Sequence, residues 1–198
     1  MAIASYNHKL NQLIKTDVKG QICDRTFIAH YHIPAADAIA ADTDYILAST
    51  VLGEGVTTIA AEDIDAQPLT PRVVTITGNA ATVAGNVELK GKDANKNEIT
   101  DTIAANGAAT VEGTKAFAEL TEIKLPAAVD AADEISVGIS DAFGIPYKLP
   151  YNTVFAILNN ATPTSVASSN FSITDLSANY INPTAALAGK DIDVYLLV

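Results

Sequence analysis

The stretch Arg72-Val73-Val74-Thr75-Ile76-Thr77-Gly78-Asn79 decides the fold. It alternates β-branched side chains and then stops at a turn pair. The pattern repeats along the chain. Val87 and Leu89 mark the next strand, and Asp93 to Asn97 is a polar hairpin loop. Glu98 to Ala104 returns with Ile99 and Ile103 inward, and Asn106-Gly107 is a strong turn signal. Ala109 to Val111 reads as a short strand. Ala116 to Leu125 carries Phe117, Leu120, Ile123 and Leu125 up to Pro126. Glu134 to Ile139 alternates again, with Ile135, Val137 and Ile139 on one face. Short strands at about 8–12-residue spacing with turns between them predict a mainly β chain. The expected fold is an antiparallel Ig-like β-sandwich over residues 71–145.

Downstream, residues 146–198 form a C-terminal β segment that completes or extends the sandwich. Gly144 to Pro150 is an extended connector, because Pro146 and Pro150 fix φ and remove donors. Thr153 to Leu158 is an apolar strand turned by Asn159-Asn160. The Ser, Thr, Pro and Asn-rich residues 161–170 are an exposed loop. Phe171–Ile173 and Ala178–Ile181 are weak strand candidates. Asp191 to Val198 closes the chain as a strand with Ile192, Val194, Leu196 and Val198 on one face. Such a strand needs a partner in the fold or in a neighbour.

Upstream, residues 1–70 read as an N-terminal arm with a short helix and strands. Tyr6, Leu10, Leu13, Ile14 and Val18 recur at helical spacing over residues 5–20, with Ser5 as cap and Gly20 as stop. Residues 21–33 switch to a period of two. Thr26, Ile28, His30 and His32 fall on one side, and Phe27, Ala29, Tyr31 and Ile33 on the other. Residues 35–44 are a loop or a turn of helix. Tyr45 to Leu52 is a strand, Gly53-Glu54-Gly55 a turn, and Val56 to Ala60 its returning partner.

The 198-residue chain is long enough for a real core, and its net charge is −11. An acidic surface repels phosphate backbones, so nucleic acid is not an expected partner. Residues 1–25 set Lys9, Lys15, Lys19 and Arg25 against Asp17 and Asp24, a net charge of about +2 on an otherwise acidic body. The single cysteine, Cys23, excludes an internal disulfide. No apolar stretch reaches membrane-span length, and the first residues lack the pattern of a secretion signal. Synthesis in a cytoplasm is expected.

Motifs for catalysis are missing: no phosphate-binding glycine loop, no Gly-x-Ser-x-Gly and no His-Glu-x-x-His. His30 and His32 share a strand face, with Cys23 or Asp24 as a conceivable third metal ligand. Cys-x6-His-x-His matches no zinc spacing, and two half-exposed strand residues are the expected state. Asp93, Asn95 and Asn97 copy the first ligands of a calcium loop, but Glu98 and Ala104 stand where Gly and Glu are required. A polar hairpin tip is expected there, and a solvated loop for Asp37, Asp42 and Asp44. No catalytic residue, metal or cofactor is expected, and the chain is read as a non-enzyme.

A longer run of residues carries a resemblance. Pro71 to Ala80, Val83-Ala84-Gly85-Asn86-Val87, Glu98 to Ile103, Gly113-Thr114-Lys115-Ala116-Phe117, Ile123 to Pro126, Ile135 to Gly138, Gly144 to Pro150 and Asp191 to Tyr195 resemble a block in structural proteins of tailed phages. The resemblance covers about residues 71–198. It implies a head decoration, or cement, protein on the outer surface of the capsid. Such a protein would bridge subunits of the major capsid protein as a homo-oligomer such as a trimer. A tail or baseplate component and a carbohydrate-binding or adhesion module are the alternatives. The expected contact residues are Tyr6, Lys9, Leu10, Leu13, Ile14 and Lys15 on the arm, with His30 and His32 on the strand that follows.

Overall fold

The computed structural model describes residues 27–198, together with the backbone of two short strands. These are β1 (Ile14–Lys15) and β2 (Ile22–Cys23), which pair antiparallel. The helix expected over residues 5–20 lies otherwise outside the described residues. At Ile14 and Lys15 the backbone is extended rather than helical.

The described chain is an antiparallel, mainly β structure built of layered sheets, as its alternation predicts. One sheet orders β5 (Thr57–Ala60), β10 (Glu119–Leu125), β7 (Asn86–Lys92) and β8 (Glu98–Ala104). The sheet facing it contains β6 (Arg72–Gly78) between β9 (Thr110–Phe117) and the long β11 (Glu134–Gly144). The outer side of β11 is shared. Its first half pairs with β4 (Asp42–Val51), and its last residues pair with β15 (Tyr180–Pro183), which carries β14 (Val166–Asn170). A further sheet orders β13 (Thr162–Thr164), β12 (Val154–Asn159), β16 (Ile192–Leu197) and β3 (Ile28–Ile33).

Two large apolar cores follow from this arrangement, and β11 runs through both, with a small third cluster of Val73, Ala116 and Ala142 beside them. Ile135, Val137 and Ile139 join Ile76, Leu89, Phe117, Leu120 and Ile123 between the first two sheets. Phe143, on the same strand, joins Ile33, Ile157, Ile181, Val194 and Leu196 beneath the β3–β16 sheet. At the seam the β11–β6 register slips: Ile139 faces Val74 and Phe143 faces Arg72, so residues 140–142 bulge opposite Val73 alone. The buried Arg72 side chain fills the gap. It donates from Nε to the Ser140 carbonyl (2.9 Å) and from Nη1 to the Ile39 carbonyl (2.8 Å), with Nη2 also on Ser140. Burial lowers its pKa to about 10, and Asp141, 3.9 Å away, opposes that shift.

The edges of the sandwich are tied by Asp101 of β8. Its buried carboxylate accepts from Thr114 N (2.7 Å), Thr114 Oγ1 (3.0 Å) and Lys115 N (3.2 Å) on β9, across the gap between the sheets. At the β7–β8 tip, Asp93 accepts from Asn95 N (2.8 Å) and from Asn97 N (3.0 Å) and Nδ2. That carboxylate is engaged within its own turn, as a polar hairpin tip requires.

Several expectations give way to non-local pairing. Gly53 to Gly55 does not close a hairpin: β4 pairs with β11 while β5 pairs with β10, so the turn carries the chain from one sheet to the facing one. β4 and β5, which the sequence groups with the arm, thereby pair within the two facing sheets. Residues 161–170 are not a loop but contain β13 and β14. Phe171–Ile173 is not a strand. The Asn159-Asn160 turn is present, as a two-residue hairpin loop with positive φ at Asn160 (49°) and Ala161 (59°), the signature of a type I′ turn.

Candidate interaction face and its side-chain cluster

The face that draws attention is the outer surface of the β13–β12–β16–β3 sheet. The two-residue period of β3 sends Ala29, Tyr31 and Ile33 toward the core and leaves Ile28, His30 and His32 exposed. On β16 the inward set is Ile192, Val194 and Leu196, which turns Asp193, Tyr195 and Leu197 outward. Both alternations match the expected ones within the strands, while Phe27 and Val198, grouped by sequence with the two buried sets, lie just beyond the strand ends and are exposed. Antiparallel register brings the outward residues together in pairs: Ile28 opposite Leu197, His30 opposite Tyr195 and His32 opposite Asp193. Burial beneath the face pushes the Tyr31 hydroxyl up to about 12.

Two chemistries share this face. One end is apolar. Ile28 is 69% exposed and Phe155 57%, and Leu197 lies between them in sequence register at 39%. Phe155 is turned out by a register slip in the β12–β16 ladder and sits 6.3 Å from the Tyr195 ring. The apolar surface continues into an open groove of about 570 Å³ lined by Tyr147, Pro150, Tyr151, Phe155, Leu197 and Val198. The chain terminus beside the groove is held in place, since Phe27 and Val198 exchange two backbone hydrogen bonds of 2.9 Å.

The other end is polar. His30 Nε2 lies 2.7 Å and His32 Nδ1 3.0 Å from the same oxygen, Asp193 Oδ1. Hydrogen bonding from His30, then from His32, holds the Asp193 carboxyl below the usual carboxylate range. The His30 ring also stacks on Tyr195, with centroids 4.7 Å apart and planes 7° from parallel. One edge of this face is unpaired among the described residues, because β3 is the last strand of its sheet.

Of the residues expected to make contacts, His30 and His32 lie on this face. Tyr6, Lys9, Leu10 and Leu13 fall outside the described residues, and so do the side chains of Ile14 and Lys15. Asp24 and the Cys23 side chain, weighed as ligands beside the histidines, also fall outside. Asp193 is the carboxylate that stands with them, 161 residues beyond His32. Sequence reasoning missed Asp193, Tyr195, Phe155 and Leu197. The alternation of β16 fixes that Asp193, Tyr195 and Leu197 point together, but no local pattern names β3 as its neighbour.

No protein-family model, curated protein or solved structure matches this chain. The class that fold and surface define is an antiparallel layered β protein with an exposed apolar and histidine-bearing sheet face. No helix of the described residues is long and apolar enough to cross a membrane.

Proposed function

We propose that this chain is a non-enzymatic structural subunit of a tailed-phage particle, a decoration protein that binds the outside of the head and bridges subunits of the major capsid protein. The observation that carries the reading is the exposed apolar end of the β3–β16 face. Ile28, Phe155, Leu197 and Tyr151 are large apolar side chains left exposed on or beside this one face, where a fold has no need of them. Exposed aromatic and aliphatic groups of this kind are what protein interfaces bury at their centres. The resemblance of residues 71–198 to phage structural proteins supplies the partner, and the acidic surface argues against nucleic acid. A ligand that binds only the assembled shell stabilises it by mass action, which is the physical meaning of cement. Self-association into an oligomer such as a trimer, and docking of residues 5–20 on a neighbouring subunit, belong to the same reading.

The test is cosedimentation of purified protein with heads that lack it. A triple variant, Ile28→Ser, Phe155→Ser and Leu197→Ser, alters exposed side chains and leaves both cores intact. Each truncation removes ~1–2 kcal/mol of apolar burial at an interface, so the triple variant is expected to bind about a hundredfold more weakly or worse. Undiminished binding by a folded triple variant refutes the face assignment. Failure of the unaltered protein to bind heads, with binding to purified tails instead, moves the subunit to the tail or baseplate.

A further inference from the structure

We propose that His30, His32 and Asp193 form a surface binding site for one divalent transition-metal ion of the zinc type, which clips the edge strand β3 to the C-terminal strand β16. Three donors of the right kind converge. His30 Nε2, His32 Nδ1 and a carboxylate oxygen of Asp193 all lie within 4.8 Å of one another. Two imidazoles and a carboxylate select zinc, nickel or cobalt over calcium or magnesium, which prefer all-oxygen shells.

The backbone already pays for the geometry. His30 and His32 are two residues apart on one strand and so project from the same side. Asp193 is the direct cross-strand neighbour of His32 and the diagonal neighbour of His30. The two histidine nitrogens now sit 2.7 and 3.0 Å from one carboxylate oxygen. Tetrahedral zinc with bonds of ~2.0–2.1 Å separates its donors by roughly 3.3 Å. Rotation of the exposed side chains that lengthens the two imidazole–carboxylate contacts by about 0.6 and 0.3 Å, and sets the two imidazole nitrogens, now within 4.8 Å of each other, at the same separation, admits the ion. Stacking on Tyr195 steadies the His30 ring, the role that outer partners play around metal-bound imidazoles. Three protein donors leave a fourth position open on the solvent side, for water or for a donor from another molecule.

A structural consequence follows. The two strands are joined only by the folded chain, since His32 and Asp193 are 161 residues apart in sequence. The unfolded chain does not hold the three donors together, so the ion binds the native state and raises its stability. The site does not depend on the proposed place of the protein in a phage particle. A failure here leaves that proposal untouched, and the reverse also holds.

The experiment is calorimetric titration of zinc chloride into untagged, chelator-stripped full-length protein, with thermal unfolding measured in parallel. One equivalent of zinc per chain is expected, together with a midpoint that climbs as zinc is added and does not respond to magnesium. The double variant His30→Gln, His32→Gln and the single variant Asp193→Asn are each expected to lose at least about tenfold in affinity, the loss seen even for outer-shell partners. They should also lose most of the zinc-dependent rise. Circular dichroism establishes that both variants are folded before titration. No zinc uptake by the unaltered protein overturns the proposal. Uptake that survives unchanged in the double variant overturns it too, because the ion then binds elsewhere.

Discussion

Replacing Asp101 by Ala removes the clamp between the two sandwich edges, and its cost can be worked from the hydrogen bonds. The carboxylate accepts from Thr102 N (3.0 Å), Thr114 N (2.7 Å), Thr114 Oγ1 (3.0 Å) and Lys115 N (3.2 Å). Three of these donors belong to β9, on the opposite sheet. A buried donor left without its acceptor costs ~1–3 kcal/mol, and water reaches part of this edge, so Asp101→Ala is expected to lose ~3–4 kcal/mol. Asp101→Asn keeps one accepting oxygen and is expected to lose about half as much. Gly113 provides an independent check. A Cβ there would lie 2.7 Å from Asp101 Oδ2 and 3.0 Å from Ile103 Cδ1, so Gly113→Ala presses on the same carboxylate. In the Asp101→Ala background that pressure is relieved, and the two costs are expected to be strongly non-additive. Urea unfolding followed by circular dichroism measures the four variants and the unaltered protein, with equal slopes required for comparison. A loss below ~1 kcal/mol for Asp101→Ala, or additive costs, would refute the clamp.

Three further outcomes are expected. Arg72→Ala strips the seam between the cores of the donors to Ser140 and Ile39 and leaves Asp141 without its cation; a loss of ~3–5 kcal/mol in urea unfolding is expected, and a loss under ~1 kcal/mol contradicts the seam account. Ala161→Gly relieves a left-handed residue in the type I′ turn, where Asn-Gly is the preferred pair; a gain of ~1 kcal/mol is expected, and destabilisation argues against that turn. Tyr31 has its hydroxyl raised by burial to about 12, so between pH 10 and 12 the folded chain keeps a proton that the unfolded chain releases. Its contribution is full below pH 10 and is lost as pH rises to about 12. Arg72, with its lowered value, acts with the opposite sign in that range, so the comparison is made against Tyr31→Phe. The variant should flatten the alkaline fall in stability and remove the last phenolate to appear by absorbance. An unchanged titration sinks the assignment.

The amount of structure legible in the sequence depended on whether a feature was local. Alternation within β8, β3 and β16 is a property of each strand, and the inward and outward sets follow directly from it, whereas β6 is buried on both faces from Arg72 to Ile76. Partner choice is not local. Gly53 to Gly55 has the composition of a hairpin turn, yet the strands on either side find β11 and β10. Residues 161–170 read as a loop because Ser, Thr and Asn dominate. β13 and β14 lie at sheet edges and are largely exposed, where apolar side chains are not required. β11 runs past Ile139 despite the Ser140-Asp141 interruption, because a bulge and the buried Arg72 absorb it. For the candidate site, His-x-His was visible as a pair on one strand face. Its carboxylate was not, since Asp193 arrives through the β3–β16 pairing from the far end of the chain.

The central claim is that the chain coats a phage head, and the copy number per particle tests it most directly. Quantitative mass spectrometry of purified virions, with the major capsid protein as the internal reference, is the measurement. The account predicts hundreds of copies in a simple ratio to the capsid subunit. A count in the single digits or low tens, or complete absence from the particle, contradicts it.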